Sequence, residues 1–119
     1  MRSRRLPPVL FALLVLLASV PALAGGFLSN YEDLPLAPGL AEVPGSGLTF
    51  ESPSGRIVEA YAAGKVTAAA VLDFYAATLP QLGWTRESDT SYRRDAQVLR
   101  LESKVDGADV VVHFTISPQ

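Results

Sequence analysis

The fold is decided by Val66-Thr67-Ala68-Ala69-Ala70-Val71-Leu72-Asp73-Phe74-Tyr75-Ala76-Ala77-Thr78-Leu79-Pro80-Gln81-Leu82-Gly83-Trp84, a stretch whose spacing predicts one amphipathic helix. Successive helical residues are rotated by about 100°, so residues three and four positions apart share a face. The apolar face predicted in this way consists of Ala68, Val71, Leu72, Phe74, Tyr75, Thr78, Leu79 and Leu82. An apolar arc of this width is typical of a helix that packs against a sheet.

Both ends of the helix are marked in the sequence. Thr67 is a suitable N-cap, because its hydroxyl oxygen can accept a hydrogen bond from a first-turn N–H group. Gly83 suits the position after the helix, where a positive φ costs glycine little. Pro80 lacks a backbone donor and disfavours helical angles at Leu79. The sequence therefore predicts a kinked or broken last turn around Leu79.

The opposite face of the helix carries a single charge. Its residues are Ala69, Ala70, Asp73, Ala76, Ala77 and Gln81. Alanine is the strongest helix former, which accounts for this composition by itself. The alternative is a flat surface that docks a partner protein. Because alanine offers little apolar area, the first interpretation is favoured.

Short strand-like segments flank the helix and predict the sheet that it covers. They lie at 48–52, 56–63, 84–88, 91–94, 97–103 and 108–117, and the turns between them lie at 52–55, 89–90, 95–96 and 105–107. Apolar and polar residues alternate in 48–52 and in 108–117, as in strands with one buried face. Tight turns favour antiparallel neighbours. We therefore predict an α+β fold: an antiparallel sheet of five to six strands, in ββαββββ order, with one amphipathic helix packed on one face.

The N-terminus has the three parts of a secretory signal peptide. Residues 1–5 are basic, residues 9–20 are apolar, and Ala22-Leu23-Ala24 fits the small-x-small cleavage pattern. We predict cleavage after Ala24 and export to the periplasm or the medium. The chain then divides into a signal peptide at 1–24, an arm at 25–47 and an α+β domain at 48–117. The alternative is an uncleaved membrane anchor, although a spanning helix needs about 20 apolar residues.

Composition and charge exclude several classes of function. The chain has no cysteine and one histidine, which excludes disulfides, cysteine ligands, a cysteine nucleophile and a multi-histidine metal site within one chain. Of the 10 basic residues, three precede the predicted cleavage site and no acid does, so 25–119 carries 7 basic and 12 acidic residues, a net charge of −5. This charge argues against nucleic acid and anionic lipid as partners. We expect no cofactor and no metal, and membrane contact only through the signal peptide before cleavage.

The segment 25–47 is rich in proline and glycine and also contains Leu34, Leu36, Leu40 and Val43. Proline opposes a regular helix and extends the preceding residue. The apolar residues exceed what a disordered linker usually carries. We predict an extended arm that lies over the domain and can include a short edge strand. The alternative is a peptide-like segment that engages a partner.

Few residues point to catalysis. Gly45-Ser46-Gly47 resembles part of a nucleophile elbow, but the strand–turn–helix context is missing and a flexible turn is favoured. His113 is the only candidate general base near neutral pH and lies mid-strand on a polar face. Nothing in the spacing indicates a triad, so a surface or partly packed histidine is favoured.

Arginines and aromatic residues are frequent in the strands after the helix. With Trp84 they suggest a patch on the open face of the sheet that contacts an anion or a glycan. The candidate contact residues are Arg86, Tyr92, Arg93, Arg94, Arg100 and His113. The alternative is a set of salt-bridged pairs between neighbouring strands.

Two segments, Val71-Leu72-Asp73-Phe74-Tyr75 and Leu79-Pro80-Gln81-Leu82-Gly83-Trp84, place Phe-Tyr on the helix and Gly-Trp at its exit. This pattern resembles an uncharacterised family of small exported bacterial proteins. Together with the strand Gly55-Arg56-Ile57-Val58-Glu59-Ala60, the resemblance covers 48–116. It implies a helix-on-sheet domain, and it implies neither an activity nor functional residues.

Together these features predict an exported, non-enzymatic interaction or accessory domain that contacts another envelope protein. The candidate surfaces are the open sheet face, the arm and the alanine-rich helix face. A second hypothesis is a domain that binds a small apolar ligand between helix and sheet. That groove would be lined by Val71, Tyr75, Leu79, Val112 and Phe114. A third hypothesis is a small hydrolase that uses His113.

Overall fold

A computed structural model describes residues 26–119, and the predicted signal peptide lies outside them. The strands are β1 (Phe27–Leu28), β2 (Tyr31–Pro35), β3 (Ala41–Glu42), β4 (Leu48–Ser52), β5 (Gly55–Gly64), β6 (Thr85–Ser88), β7 (Ser91–Arg94), β8 (Gln97–Asp106) and β9 (Asp109–Pro118). The helix α1 spans Ala68–Thr78 and is followed by a 3-10 helix at Leu79–Leu82. Within 26–119, neither helix has the length and hydropathy needed to cross a membrane.

The amphipathic helix forms with the predicted ends. The Thr67 hydroxyl accepts a hydrogen bond from the N–H group of Ala70 at 3.0 Å, which confirms the N-cap. The change to 3-10 geometry at Leu79 confirms the break, because Pro80 cannot donate to the preceding turn. Gly83 follows with a φ of 94°, a left-handed angle that glycine tolerates.

Seven strands form one antiparallel sheet in the order β3-β5-β9-β8-β7-β6, and β4 pairs with the first half of β5 on the same edge as β3. The predicted α+β class, with one helix beside an antiparallel sheet, is confirmed for the described residues. The sheet exceeds the predicted five to six strands because Ala41 and Glu42 of the arm pair with Ala63 and Ala62. The arm also adds β1 and β2, which form a separate two-stranded sheet.

The β8–β9 hairpin is longer than predicted. β8 continues beyond residue 103 because Lys104 and Val105 pair with Val111 and Val110. The turn is formed by residues 107–108, so it begins two positions later than the predicted turn at 105–107. Gly107 has a φ of 65°, as the first residue of a two-residue hairpin turn often does.

The core lies between the sheet, α1 and the arm. Tyr75 of α1 and Phe114 of β9 are both fully buried and meet edge to face, with ring centroids 5.8 Å apart. The alternation predicted for the last strand is confirmed from residue 110 onward, where the inward residues are at most 5% exposed, whereas Ala108, expected on the same face, is exposed in the turn. The inward residues are Val110, Val112, Phe114 and Ile116.

The arm contributes leucines to this core. They are Leu28, Leu34, Leu36 and Leu40. The Tyr75 hydroxyl donates a hydrogen bond to the carbonyl oxygen of Pro35 at 2.8 Å and accepts one from the N–H group of Ala37 at 3.2 Å. These bonds attach the arm to α1 and satisfy polar groups that burial would otherwise leave unpaired.

The arm crosses the end of β5 at two glycines. A methyl group on Gly64 would overlap the carbonyl oxygen of Gly39, and one on Gly39 would lie 2.5 Å from Cγ1 of Val66. Gly39 also has a φ of 91°. This close crossing therefore depends on the absence of a side chain at both positions.

Candidate binding surface on the open sheet face

We call the sheet face opposite α1 the open face. Its central side chains come from β5, β8 and β9, where they alternate with buried residues such as Ala60, Leu101 and Val112. They are Glu59, Tyr61, Arg100, Glu102, Lys104, Val111, His113 and Thr115.

Four of these residues, Glu59, Tyr61, Glu102 and His113, form what we call the His113 cluster. The Tyr61 and His113 rings are stacked, with centroids 4.3 Å apart and planes 6° from parallel. His113 Nε2 lies 3.1 Å from Oε1 of Glu59, and Nδ1 lies 3.6 Å from Oε1 of Glu102. The imidazole thus has one hydrogen-bond contact, at Nε2, and is stacked on one ring face, while the Glu102 carboxylate lies near Nδ1 beyond hydrogen-bond distance. Only 23% of the His113 side chain is exposed, so it is partly packed, as the sequence favoured.

A hollow of about 630 Å³ lies beside this cluster. Its walls include Tyr61, His113, Val111, Glu102 and Lys104. The walls combine an aromatic stack, an aliphatic side chain and charges of both signs. This mixture is typical of protein-binding surfaces, which pair an apolar centre with a polar rim.

The polar contacts of His113 within residues 26–119 are with two glutamates. A serine hydrolase needs a hydroxyl in hydrogen-bond reach of the histidine, and the described contacts include none. No set of three or more His, Asp or Glu side chains in the same part of the chain is arranged to hold a metal ion. The hydrolase hypothesis stays a prediction, and the effect of His113→Ala on any activity found would test it.

Ser46 has a structural position at the edge of the sheet. Its hydroxyl accepts a hydrogen bond from the N–H group of Tyr61 at 3.1 Å and lies 3.2 Å from the Tyr61 carbonyl oxygen. Val43 donates to the same carbonyl at 2.8 Å. Ser46 therefore takes the place of a strand residue between β3 and β4, and its hydroxyl is engaged by backbone.

The predicted arginine patch does not form one surface. Tyr92, expected to be exposed, is fully buried, because it pairs with the inward residue Leu99. Arg86 lies opposite Tyr92 and shares its side of the sheet, whereas Arg93 and Arg100 lie on the side of His113. Successive strand residues point to opposite faces, so a run of arginines in neighbouring strands is divided between two sides.

Arg94 instead connects the arm to the rest of the fold. Its guanidinium lies 4.4 Å from the ring centroid of buried Trp84 and donates to the Leu82 carbonyl oxygen at 2.9 Å. It also donates to the Tyr31 hydroxyl and to Oδ2 of Asp33, both at 3.0 Å. Burial alone would lower the pKa of Arg94, but the hydrogen bonds with Asp33 and Tyr31 raise it.

Of the remaining arginines, Arg93 forms the pair between neighbouring strands that the salt-bridge alternative predicted, whereas Arg86 forms a local pair three positions along the chain. Arg93 donates to Oε2 of Glu87 at 2.7 Å, and Arg86 is paired with Asp89. The hydrogen bond from Arg93 lowers the pKa of Glu87 and raises that of Arg93. Both side chains of this pair are more than a third exposed, so the pair contributes little to stability.

The groove predicted between helix and sheet is filled. Its expected lining residues are all at most 1% exposed and pack against one another: Val71, Tyr75, Leu79, Val112 and Phe114. A hollow of about 330 Å³ instead lies at the side of α1, against the arm. Its lining includes Pro38, Val66, Ala70 and Phe74. An apolar ligand would therefore meet the junction of arm and helix.

Comparison of the chain with protein-family models, with curated proteins and with solved structures gives no match in any of the three. The predicted resemblance to small exported proteins stays a prediction. Function therefore has to be argued from the geometry of the surface.

Two features of the open face were missed from the sequence. Glu59 and Tyr61 were not expected beside His113, because they lie more than 50 positions away and the β5–β9 register was unknown. The exposure of β4 was also missed. Leu48 and Phe50 are 59% and 45% exposed, because they pair with Glu59 and Ile57 and share the open face, whereas the alternation had suggested that they are buried.

Proposed function

We propose that the protein is an exported, non-enzymatic accessory domain that binds another envelope protein through the open face of its sheet. Export rests on the predicted signal peptide at 1–24. The choice of surface rests on one observation, the exposed Tyr61–His113 stack beside a hollow of about 630 Å³. Within residues 26–119, the centre of the opposite side of the sheet is covered by α1 and the arm.

The His113 cluster suits recognition because its rings are already ordered. Tyr61 is 39% exposed, and its ring is supported along one face by His113. His113 is held in turn by its contact with Glu59 at 3.1 Å. A partner that covers this stack would immobilise few side chains on binding, which reduces the entropic cost of association. Aromatic residues held in this way are frequent among the residues that dominate binding energy.

Charges around the stack would orient the partner. The charges on the open face of β8 alternate in sign along the strand, at Arg100, Glu102 and Lys104. A complementary pattern on the partner would favour one orientation and disfavour others. Its contribution would fall with ionic strength, because charges on an exposed face are screened by salt.

The experiment is in-cell cross-linking of the tagged protein in its native cell, followed by identification of the species recovered. Three variants separate the three candidate surfaces. Tyr61→Ala combined with His113→Ala alters the open face, Ala69→Glu alters the outer helix face, and Phe27→Ser alters the arm. Circular dichroism establishes that each variant is folded.

We expect the unmodified protein, Ala69→Glu and Phe27→Ser to recover the same partner, and the double open-face variant to lose it. Loss with Ala69→Glu or Phe27→Ser alone would move the interface to the helix or the arm. Recovery by all the variants, or no specific partner in the native compartment, would reject the proposal.

A small apolar ligand is the second candidate, and the hollow at the side of α1 is the observation that favours it. Its volume of about 330 Å³ is at the lower end of known ligand pockets. Ala70→Leu would fill this hollow from the exposed side of the helix, whereas Ala77→Leu adds the same side chain elsewhere on α1. Binding of an apolar dye that is lost only with Ala70→Leu would support this candidate, and equal binding by both variants would reject it.

A further inference from the structure

The two edges of the sheet are built differently. At the β6 edge the register with β7 is interrupted between Arg86 and Ser88. Arg93 of β7 forms an ion pair with Glu87 of β6, and Arg86 forms one with Asp89 in the turn. Irregularities and charges of this kind prevent a sheet edge from pairing with another chain. The β6 edge therefore carries the usual protection.

The β4 edge is less protected: its register is uninterrupted, and the ion pair that it forms, between Glu51 and Arg56 of β5, lies near its C-terminal end. β4 pairs with β5 over five successive positions without a register shift, and within residues 26–119 β5 is its only partner strand. Leu48 and Phe50 are 59% and 45% exposed on this edge. A regular edge strand with exposed apolar side chains is a template for pairing with a further strand.

The pairing of β4 with β5 determines which backbone N–H and C=O groups of β4 point away from β5. Tyr61 of β5 directs its N–H and C=O groups toward the β3–β4 edge, where Ser46 and Val43 bind them. In an antiparallel strand, the backbone N–H and C=O groups of every second residue point to the same neighbouring strand. The backbone groups of Glu59 and Ile57 therefore also point toward β4, where these residues pair with Leu48 and Phe50. The backbone groups of the intervening residue, Thr49, consequently point away from β5.

We propose that β4 pairs with β4 of a second copy of the chain, in antiparallel orientation and centred on Thr49. In this register Thr49 faces Thr49 of the second copy, and each Leu48 faces a Phe50. Glu51 faces Gly47, so no like charges meet. A register centred on Phe50 would instead place Leu48 against Ser52. The sequence Gly47-Leu48-Thr49-Phe50-Glu51 is therefore complementary to itself about a two-fold axis, as a symmetric dimer requires.

The pairing joins two seven-stranded sheets into one continuous sheet, with the two open faces on the same side. A five-residue strand buries much less surface than the roughly 1,600 Å² of a standard interface. We therefore expect a reversible dimer that forms between about 10 μM and 1 mM protein.

The first test is sedimentation of the purified protein over that concentration range. We expect a monomer–dimer equilibrium that Phe50→Lys shifts at least tenfold toward the monomer. Thr49→Pro removes an outward N–H group and should act in the same direction. Val105→Lys is the matched control, since Val105 is 72% exposed but lies on the β8–β9 hairpin. A protein that stays monomeric to about 1 mM would overturn the proposal, and so would a dimer that survives both Phe50→Lys and Thr49→Pro.

The second test measures the register. The chain contains no cysteine, so a single substitution gives a single thiol. Directly opposed residues of a hydrogen-bonded antiparallel pair have Cα atoms about 5.5 Å apart, within the range of a disulfide. Thr49→Cys should therefore form a disulfide dimer under mild oxidation, and Glu51→Cys and Val105→Cys should not. Faster cross-linking by Glu51→Cys than by Thr49→Cys would rule out this register.

The third test asks whether a complementary charge restores the dimer that Phe50→Lys loses. Leu48→Glu combined with Phe50→Lys brings a carboxylate opposite an ammonium group at both ends of the proposed pairing. The double variant should regain at least part of the dimer that Phe50→Lys loses, and high salt should weaken it. No recovery in the double variant at low salt would contradict the direct opposition of residues 48 and 50.

Discussion

The Tyr75 hydroxyl donates a hydrogen bond to the carbonyl oxygen of Pro35 at 2.8 Å, across 40 positions of sequence. The same oxygen accepts a hydrogen bond from Ala37, so one side chain on the core face of α1 satisfies two backbone groups of the arm. The arm is thus attached to the helix by a specific polar contact as well as by its leucines.

Tyr75→Phe should lower the free energy of unfolding by about 1–3 kcal/mol, because it leaves a buried N–H and a buried C=O group without their partner. Urea denaturation measures this change. Tyr61→Phe is the matched control: Tyr61 is 39% exposed, and we expect a change within about 0.5 kcal/mol. Equal losses for the two variants would show that the hydrogen bonds of Tyr75 do not hold the arm.

Gly64→Ala should detach the arm from the end of β5. The new methyl group would overlap the carbonyl oxygen of Gly39, a backbone atom that cannot move aside as a flexible side chain can. We expect a loss of about 1–3 kcal/mol or more, together with faster proteolysis within 26–47. Gly107→Ala is the control, since its methyl group meets nothing within 4 Å and its cost of about 1–2 kcal/mol comes from the positive φ alone. Proteolysis of the arm should be unchanged in Gly107→Ala.

Arg94→Lys should destabilise the fold although it keeps the positive charge. A lysine cannot stack its head group on Trp84 while it donates to Leu82, Tyr31 and Asp33. We expect a loss of about 1–3 kcal/mol in chemical unfolding followed by the fluorescence of Trp84, the only tryptophan. Arg93→Lys, in an exposed pair with Glu87, should cost no more than about 0.5 kcal/mol.

Stability should fall in alkaline solution. Burial raises the pKa of Tyr75 and of Tyr92 above the ordinary value of 10.0, so both stay protonated in the folded state when the unfolded state ionises. The contribution of such a group is complete below pH 10 and is lost as the pH rises above it. For Tyr75 the slope is about 1.4 kcal/mol per pH unit. Tyrosinate absorbance and urea midpoints above pH 10 measure this loss, and Tyr75→Phe should reduce the slope.

Local signals in the sequence predicted α1, its cap at Thr67, its break at Leu79 and the inward residues of β9. These features depend on residues close in sequence, where helical and strand periodicity decide which face is buried. The same alternation misled at β4, because Leu48 and Phe50 pair with Glu59 and Ile57 and therefore lie on the open face of the sheet. Periodicity identifies a strand and its two faces, but its position in the sheet depends on pairing between distant segments.

In the candidate site, too, some features follow from local sequence and others from the pairing of distant segments. His113 was recognised as the only histidine, and its partial packing was expected. Its neighbours Glu59 and Tyr61 depend on the register of β5 with β9, which no local signal specifies. Tyr92 was expected on the open face because it lies among arginines in the sequence, whereas its pairing with Leu99 places its ring in the core.

The docking of the arm has a consequence for the order in which the domain forms. Leu34 and Leu36 precede α1 and β9 in sequence, yet they are buried in a core cluster to which both elements contribute. A chain synthesised from its N-terminus would therefore keep these leucines in contact with water until almost all of the remaining residues had been made. Amide protons of the arm should become protected from exchange only together with those of β9, so the N-terminal part of the described chain is among the last to reach its native place.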